Sequence, residues 1–203
     1  MTREERQQIK EKEKEYKELI KQVGKKFGMG HKQCDLFFVH KEYFVDILYD
    51  FHVEQNNIMY SATIKYLDYD DILWDILDMP DNKNEPLSLR AYGAFSAYGL
   101  KLVPPYKFVS LGDNPEYVIS KTLSDVKQMV ENFDEVLDER ILLELRTRPH
   151  PTKEFIVYIH QKQYAKARKL AEDCIKNGEE GTFGNNGKDF FELALEYLNK
   201  NNL

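Results

Sequence analysis

Apolar positions change their spacing along this chain, and each change predicts a different element. Thr2 followed by Glu5 makes a capping box, and Ile9, Tyr16, Leu19, Ile20, Val23 and Phe27 then share one helical stripe that Gly28 ends. The period next switches to two. CDLFFVH (34–40) and YFVDILYDFHVE (43–54) read as strands, with Tyr43, Val45, Ile47, Tyr49, Phe51 and Val53 on one face. After the turn QNN, IMYSATIKYL (58–67) puts Ile58, Tyr60, Ala62, Ile64 and Tyr66 inward and Ser61, Thr63 and Lys65 outward. This is an antiparallel β-meander with one wet face.

Helical spacing then returns. Asp68 is placed to cap a short helix with the apolar stripe Ile72, Leu73, Ile76 and Leu77, which Met79-Pro80-Asp81-Asn82 ends. Residues 86–103 read as extended because of Gly93, Gly99 and the Pro104-Pro105 stop. Asn114-Pro115 starts a long helix whose apolar positions run from Ile119 to Leu137, ending before Pro149 and Pro151. One further helix is expected from about 155 to 176, closed by Gly178. Another is capped by Asp189 with Glu192 three residues on, and GEEGTFGNNGK forms a flexible connection between the two. The fold class is α+β, with an N-terminal helix, the meander and a helical C-terminal half. Residues 1–112 form the α+β unit and 113–203 a helical region packed on it as one continuous domain. QYAKARKLAEDCIKNG (163–178) resembles the second helix of a tetratricopeptide repeat, but a single unit lacks the neighbour such repeats stack on.

Charge changes the picture in one place. The net charge is −6, and residues 34–86 hold twelve acidic groups against three basic ones. Such a balance disfavours nucleic acid, which is bound by clustered Lys and Arg. Cys34 and Cys174 are too far apart in sequence and too few to suggest a disulfide framework, and they read as small hydrophobes in a reducing compartment. No apolar stretch approaches a membrane span or a secretory leader, so the expectation is cytoplasmic, with no membrane partner.

Candidate chemistry is sparse. GTFGNNGKDF (181–190) fails as a phosphate loop: Thr182 stands where glycine is needed, and Asp189 replaces the magnesium-binding hydroxyl. DMPDNKNEP fails as a calcium loop, with Lys83 at the glycine position. Asp46, Asp50 and His52 (with Glu54) share the wet face, where carboxylate and imidazole suit a divalent metal or acid–base catalysis. That is the enzyme alternative, although no second His- or Cys-bearing segment completes a shell. His31, His150 and His160 stand alone. No cofactor and no metal are expected.

The most unusual stretch is YLDYDDILWDILDMPDN (66–82), with six aspartates. On a helix Asp71, Asp75 and Asp78 align, and like charges at that spacing cost about 0.2–0.5 kcal/mol a pair. A field of one sign steers a cationic partner. Asp70, Asp71, Asp75 and Asp78 are therefore the expected binding residues, with Trp74 as an aromatic anchor lying off the main apolar stripe. The same region, from KKFGMGHKQCDLFFVH through DILWDILDMPDNKNEPLSLRAYGAF, resembles uncharacterised bacterial domains to which no site residues are attached. In size, acidity and aromatic content the chain is similar to immunity proteins that neutralise polymorphic toxins. That resemblance implies a non-enzymatic protein binding a basic toxin domain. A third alternative makes the C-terminal helices a peptide-docking module.

Overall fold

In a computed structural model the described residues are 1–203, leaving aside the side chains of Tyr92, Pro105 and Tyr106. The chain is α+β, with an N-terminal helix, an antiparallel five-stranded sheet and a helical C-terminal half. It divides into two compact units that interleave in sequence: Met1–Ile64 with Lys101–Phe133, and Lys65–Leu100 with Asp134–Leu203.

In the first unit α1 (Arg3–Lys26) carries the predicted Thr2–Glu5 capping box and buries Tyr16, Ile20 and Val23. The strands β1 (Gly30–Lys32), β2 (Asp35–His40), β3 (Tyr43–His52), β4 (Asn57–Tyr66) and, later in the chain, β5 (Leu100–Ser110) hydrogen-bond in that order. β2 and β3 pair in register from Asp35 opposite Leu48 to His40 opposite Tyr43. The inward residues Val45, Ile47, Tyr49 and Phe51 are buried as their alternation requires. Gly24 lets α1 come close to β2, since a Cβ there would lie 2.6 Å from the Leu36 side chain. The β3–β4 turn is tied by Asn56, left-handed at φ 50°, which accepts from the Tyr16 hydroxyl at 3.0 Å and donates to the Gly112 carbonyl at 3.0 Å. The outer face is less wet than its alternation implies: Phe44 and Asp35 are buried, while Leu48 and Asp50 are exposed.

Several elements differ from expectation for local reasons. The acidic helix α2 (Leu67–Ile76) starts one residue before Asp68, so Asp68 lies in its first turn and Tyr66 occupies the cap position. Residues 86–103 are not one extended segment: Ser88–Tyr92 is a short helix, α3, and β5 begins only at Leu100. β5 then runs through Pro104 and Pro105, which an edge strand tolerates because its outer N–H groups need no partner. The long helix breaks after α4 (Pro115–Glu131), whose start is the predicted Asn114 cap donated to by Tyr117 N–H, and resumes as α5 (Leu137–Leu145).

In the second unit the expected 155–176 helix is two, α6 (Pro151–His160) and α7 (Tyr164–Asn177), separated where Lys162 takes φ 58°. Gly178 closes α7 in the left-handed conformation, as predicted. The connection before α8 (Phe190–Lys200) is a small hairpin, β6 (Gly184–Asn185) and β7 (Lys188–Asp189). Asn186-Gly187 turns it with both residues at positive φ, the arrangement a two-residue hairpin loop requires. Asp189 and Glu192 form the predicted capping box. The core gathers Leu73, Ile76 and Leu77 with Phe155, Ile156, Phe190, Phe191 and Leu198.

Candidate functional site

The acidic segment is built around an internal ion network. Asp70 has no exposed side-chain surface, because it lies in the first turn of α2 on the side that packs inward. Its Oδ1 accepts from Lys65 Nζ at 2.8 Å and from the Ala97 backbone N–H at 2.7 Å, and Arg90 Nη1 lies 3.5 Å from Oδ2. Arg90 also donates through Nη2 to Asp71 at 2.8 Å and through Nη1 to the Leu67 carbonyl at 2.8 Å. Lys65 also donates to the carbonyls of Arg90 (2.9 Å) and Ala97 (3.1 Å). A buried charge is tolerable only with its hydrogen bonds and counter-ion in place, and both are present here.

Trp74 belongs to the same assembly. It is 1% exposed, donates from Nε1 to the Phe95 carbonyl at 2.7 Å, and lies under the Arg90 guanidinium 4.8 Å from its ring centre. Asp70 and Trp74, expected as a binding residue and an aromatic anchor, are thus both buried within this network. The two hold residues 88–97 against α2. Asp71 is half-buried and shares Arg90, while Asp75 pairs with Lys83 at 2.6 Å. Asp78 alone of the predicted five is exposed and carries no ion pair, with its backbone at φ 56°. Between residues 65 and 90 the seven carboxylates face three cations, and those three neutralise Asp70, Asp71 and Asp75. Four carboxylates remain exposed and without an ion pair among the described residues: Asp68, Asp78, Asp81 and Glu85.

The alternative sheet-face trio is brought together only in part. Asp50 and His52 approach to 3.7 Å, with Phe108 5.1 Å from the imidazole, and Asp46 is half-buried. The His52 Nε2 is enclosed without a hydrogen-bond partner. Lys65, expected on that face toward water, is instead buried against Asp70. Among the described residues no group of three His, Cys, Asp or Glu side chains is placed to hold a metal.

A constellation absent from the sequence reading joins α2, α5 and α6. Asp138, buried at the start of α5, accepts from the Tyr69 hydroxyl, and its other oxygen lies 2.9 Å from His160 Nδ1. Tyr66 stacks on the imidazole at 4.4 Å. His160 thus does not stand alone. The partners are 22 residues apart, and only the break at Lys162 puts His160 at a helix end, so no local pattern announces the pair. Its placement also complements both helix dipoles, with an anion at an N-terminus and an imidazole at a C-terminus. His150 is likewise engaged: Nδ1 caps α6 by accepting from Lys153 N–H at 3.4 Å, and burial lowers its pKa. Burial raises the Cys174 thiol to about 11, in keeping with a small core residue.

The second unit also has a cleft of about 520 Å³, between the end of α2, the β6–β7 turn and α8, and Asp75 and Asp78 line it. Among the described residues no helix is long and apolar enough to cross a membrane. Fold and site together define an α+β protein with an acidic helix whose Asp70, Asp71 and Asp75 are paired internally. Comparisons with protein-family models, curated proteins and solved structures return no match.

Proposed function

We propose that this chain is a cytoplasmic, non-enzymatic protein-binding protein whose partner is basic. Neutralising a bacterial toxin domain is the form of that role which its size and acidity resemble. The observation that carries the reading is the exposure of Asp68, Asp78, Asp81 and Glu85 without an ion pair among the described residues. Asp70, Asp71 and Asp75 are spent internally, so the recognising charge moves from the aligned helix stripe to the first turn of α2 and the segment after it. Exposed pairs are worth about 0.2–1 kcal/mol each, so these four act mainly on encounter rate and specificity.

The test is capture of partners from a bacterial lysate at low and high salt, with the wild-type chain and an Asp68→Asn/Asp81→Asn/Glu85→Gln variant side by side. The reading expects a basic protein held at low salt and released both by high salt and by the variant. A partner held equally by both chains and at both salts, or no basic partner at all, contradicts it.

A further inference from the structure

We propose that the cleft at the end of α2 binds a zwitterion, a molecule presenting an ammonium and a carboxylate a short distance apart. This site shares Asp78 with the exposed acidic group but is otherwise made of the end of α2, the β6–β7 turn and α8, and the inference does not rest on the basic-partner reading.

The cleft encloses about 520 Å³, within the roughly 300–1,000 Å³ of small-molecule sites. Its apolar lining includes Ile76 and Leu193, both nearly inaccessible, with Pro80 and the half-buried Tyr197. Three of its five charges are already satisfied at close range: Asp75 by Lys83 at 2.6 Å, and Glu196 and Lys188 by each other at 2.6 Å. Two are not. Asp78 and Lys200 both line the cleft, both are exposed, and neither makes an ion pair with the other or with any described residue. An anion and a cation facing one cavity without bridging it are complementary to a ligand carrying the reverse pair. A purely cationic or purely anionic molecule satisfies only one of them and meets a like charge at the other. The Asn186 amide and the Tyr197 hydroxyl, which have no hydrogen-bond partner among the described residues, supply neutral contacts between the two ends. Burial and the nearby Asp75 raise the Tyr197 pKa, keeping it a hydroxyl donor through the neutral range.

Free amino acids and the side chains of an extended peptide share this chemistry. The test therefore titrates the isotopically labelled full chain, followed by backbone amide NMR, with ω-amino acids from glycine to 6-aminohexanoate. Butylamine and butyrate serve as single-charge controls, and an N-acetylated, C-amidated Lys-Gly-Asp peptide as the second source. The expected result is saturable binding of one amino-acid length, or of the peptide, at least about tenfold tighter than either control. The shifts should centre on Asp78, Asn186 and Asn201. Tighter binding of the peptide assigns the ligand to a protein segment, and tighter binding of an amino acid to a metabolite. Asp78→Asn and Lys200→Gln should each remove the advantage over the controls. Both variants should fold, since asparagine suits the left-handed conformation at residue 78 and Lys200 is exposed. Equal binding of controls and zwitterions, retention of the advantage in both variants, or no saturable binding overturns the proposal.

Discussion

Lys65 and Asp70 meet at 2.8 Å with side chains 5% and 0% exposed, and this pair decides how the acidic segment is read. Strand alternation puts the lysine on a wet face and the aspartate reads as a binding residue, yet each is the other's counter-ion. Replacing Asp70 by Asn leaves Lys65 and Arg90 facing an uncharged amide in a buried site. Urea unfolding should show a loss of about 3–5 kcal/mol, the scale for breaking a buried pair from one side. A change below about 1 kcal/mol would place Asp70 in water.

Trp74, the only tryptophan, reports the same interior. Its fluorescence should be blue-shifted in the folded chain and insensitive to iodide. Trp74→Phe keeps an aromatic ring but strands the Phe95 carbonyl, and should cost on the order of 1–3 kcal/mol in urea. Efficient iodide quenching of the folded protein would restore the surface-anchor role.

Asp35, buried on β2, has its carboxyl pushed up to about 6 from the usual 3.8 by burial. The folded state therefore holds this proton more tightly than the unfolded chain. The stability this group contributes is fully present below pH 3.8 and is lost as pH rises to about 6. Asp35→Asn should be more stable than wild type at pH 7, by roughly 1–3 kcal/mol, and the difference should vanish near pH 3.5. Parallel stability curves for the two chains across that window would contradict this.

His150 behaves in the opposite sense. Its pKa is lowered from 6.5 by burial, and its Nδ1 must stay unprotonated to cap α6. The unfolded chain takes up this proton first, so the contribution is present above pH 6.5 and falls as pH drops through the folded value. His150→Asn keeps a side-chain acceptor at the cap and should flatten the decline in thermal stability below pH 6.5. His150→Ala should lose about 1 kcal/mol at neutral pH.

Local signals were legible where one residue type forces one conformation. The Thr2–Glu5 and Asp189–Glu192 boxes, Asn114-Pro115 and Gly178 all stand where their chemistry predicts. Alternation in 43–52 placed the inner face of β3 correctly. The Asn186-Gly187 turn was also written locally, but the glycines around it read as flexibility. The break at Lys162 had no such signal, because lysine at positive φ is imposed by packing. Site electrostatics were illegible for a different reason. Charge counting along the chain cannot tell that Arg90, twenty residues beyond Asp70, folds back on it and on Asp71 and draws both into an internal ion network. What remained readable was the excess itself, since three cations cannot neutralise seven carboxylates.

The division into three paired and four unpaired carboxylates is tested most directly by comparing urea midpoints of two triple variants. Asp70→Asn/Asp71→Asn/Asp75→Asn should fall by several kcal/mol or fail to fold, whereas Asp68→Asn/Asp81→Asn/Glu85→Gln should match the wild type within about 0.5 kcal/mol or rise slightly as repulsion is relieved. Equal losses in the two variants, or a loss confined to the second, would contradict the account.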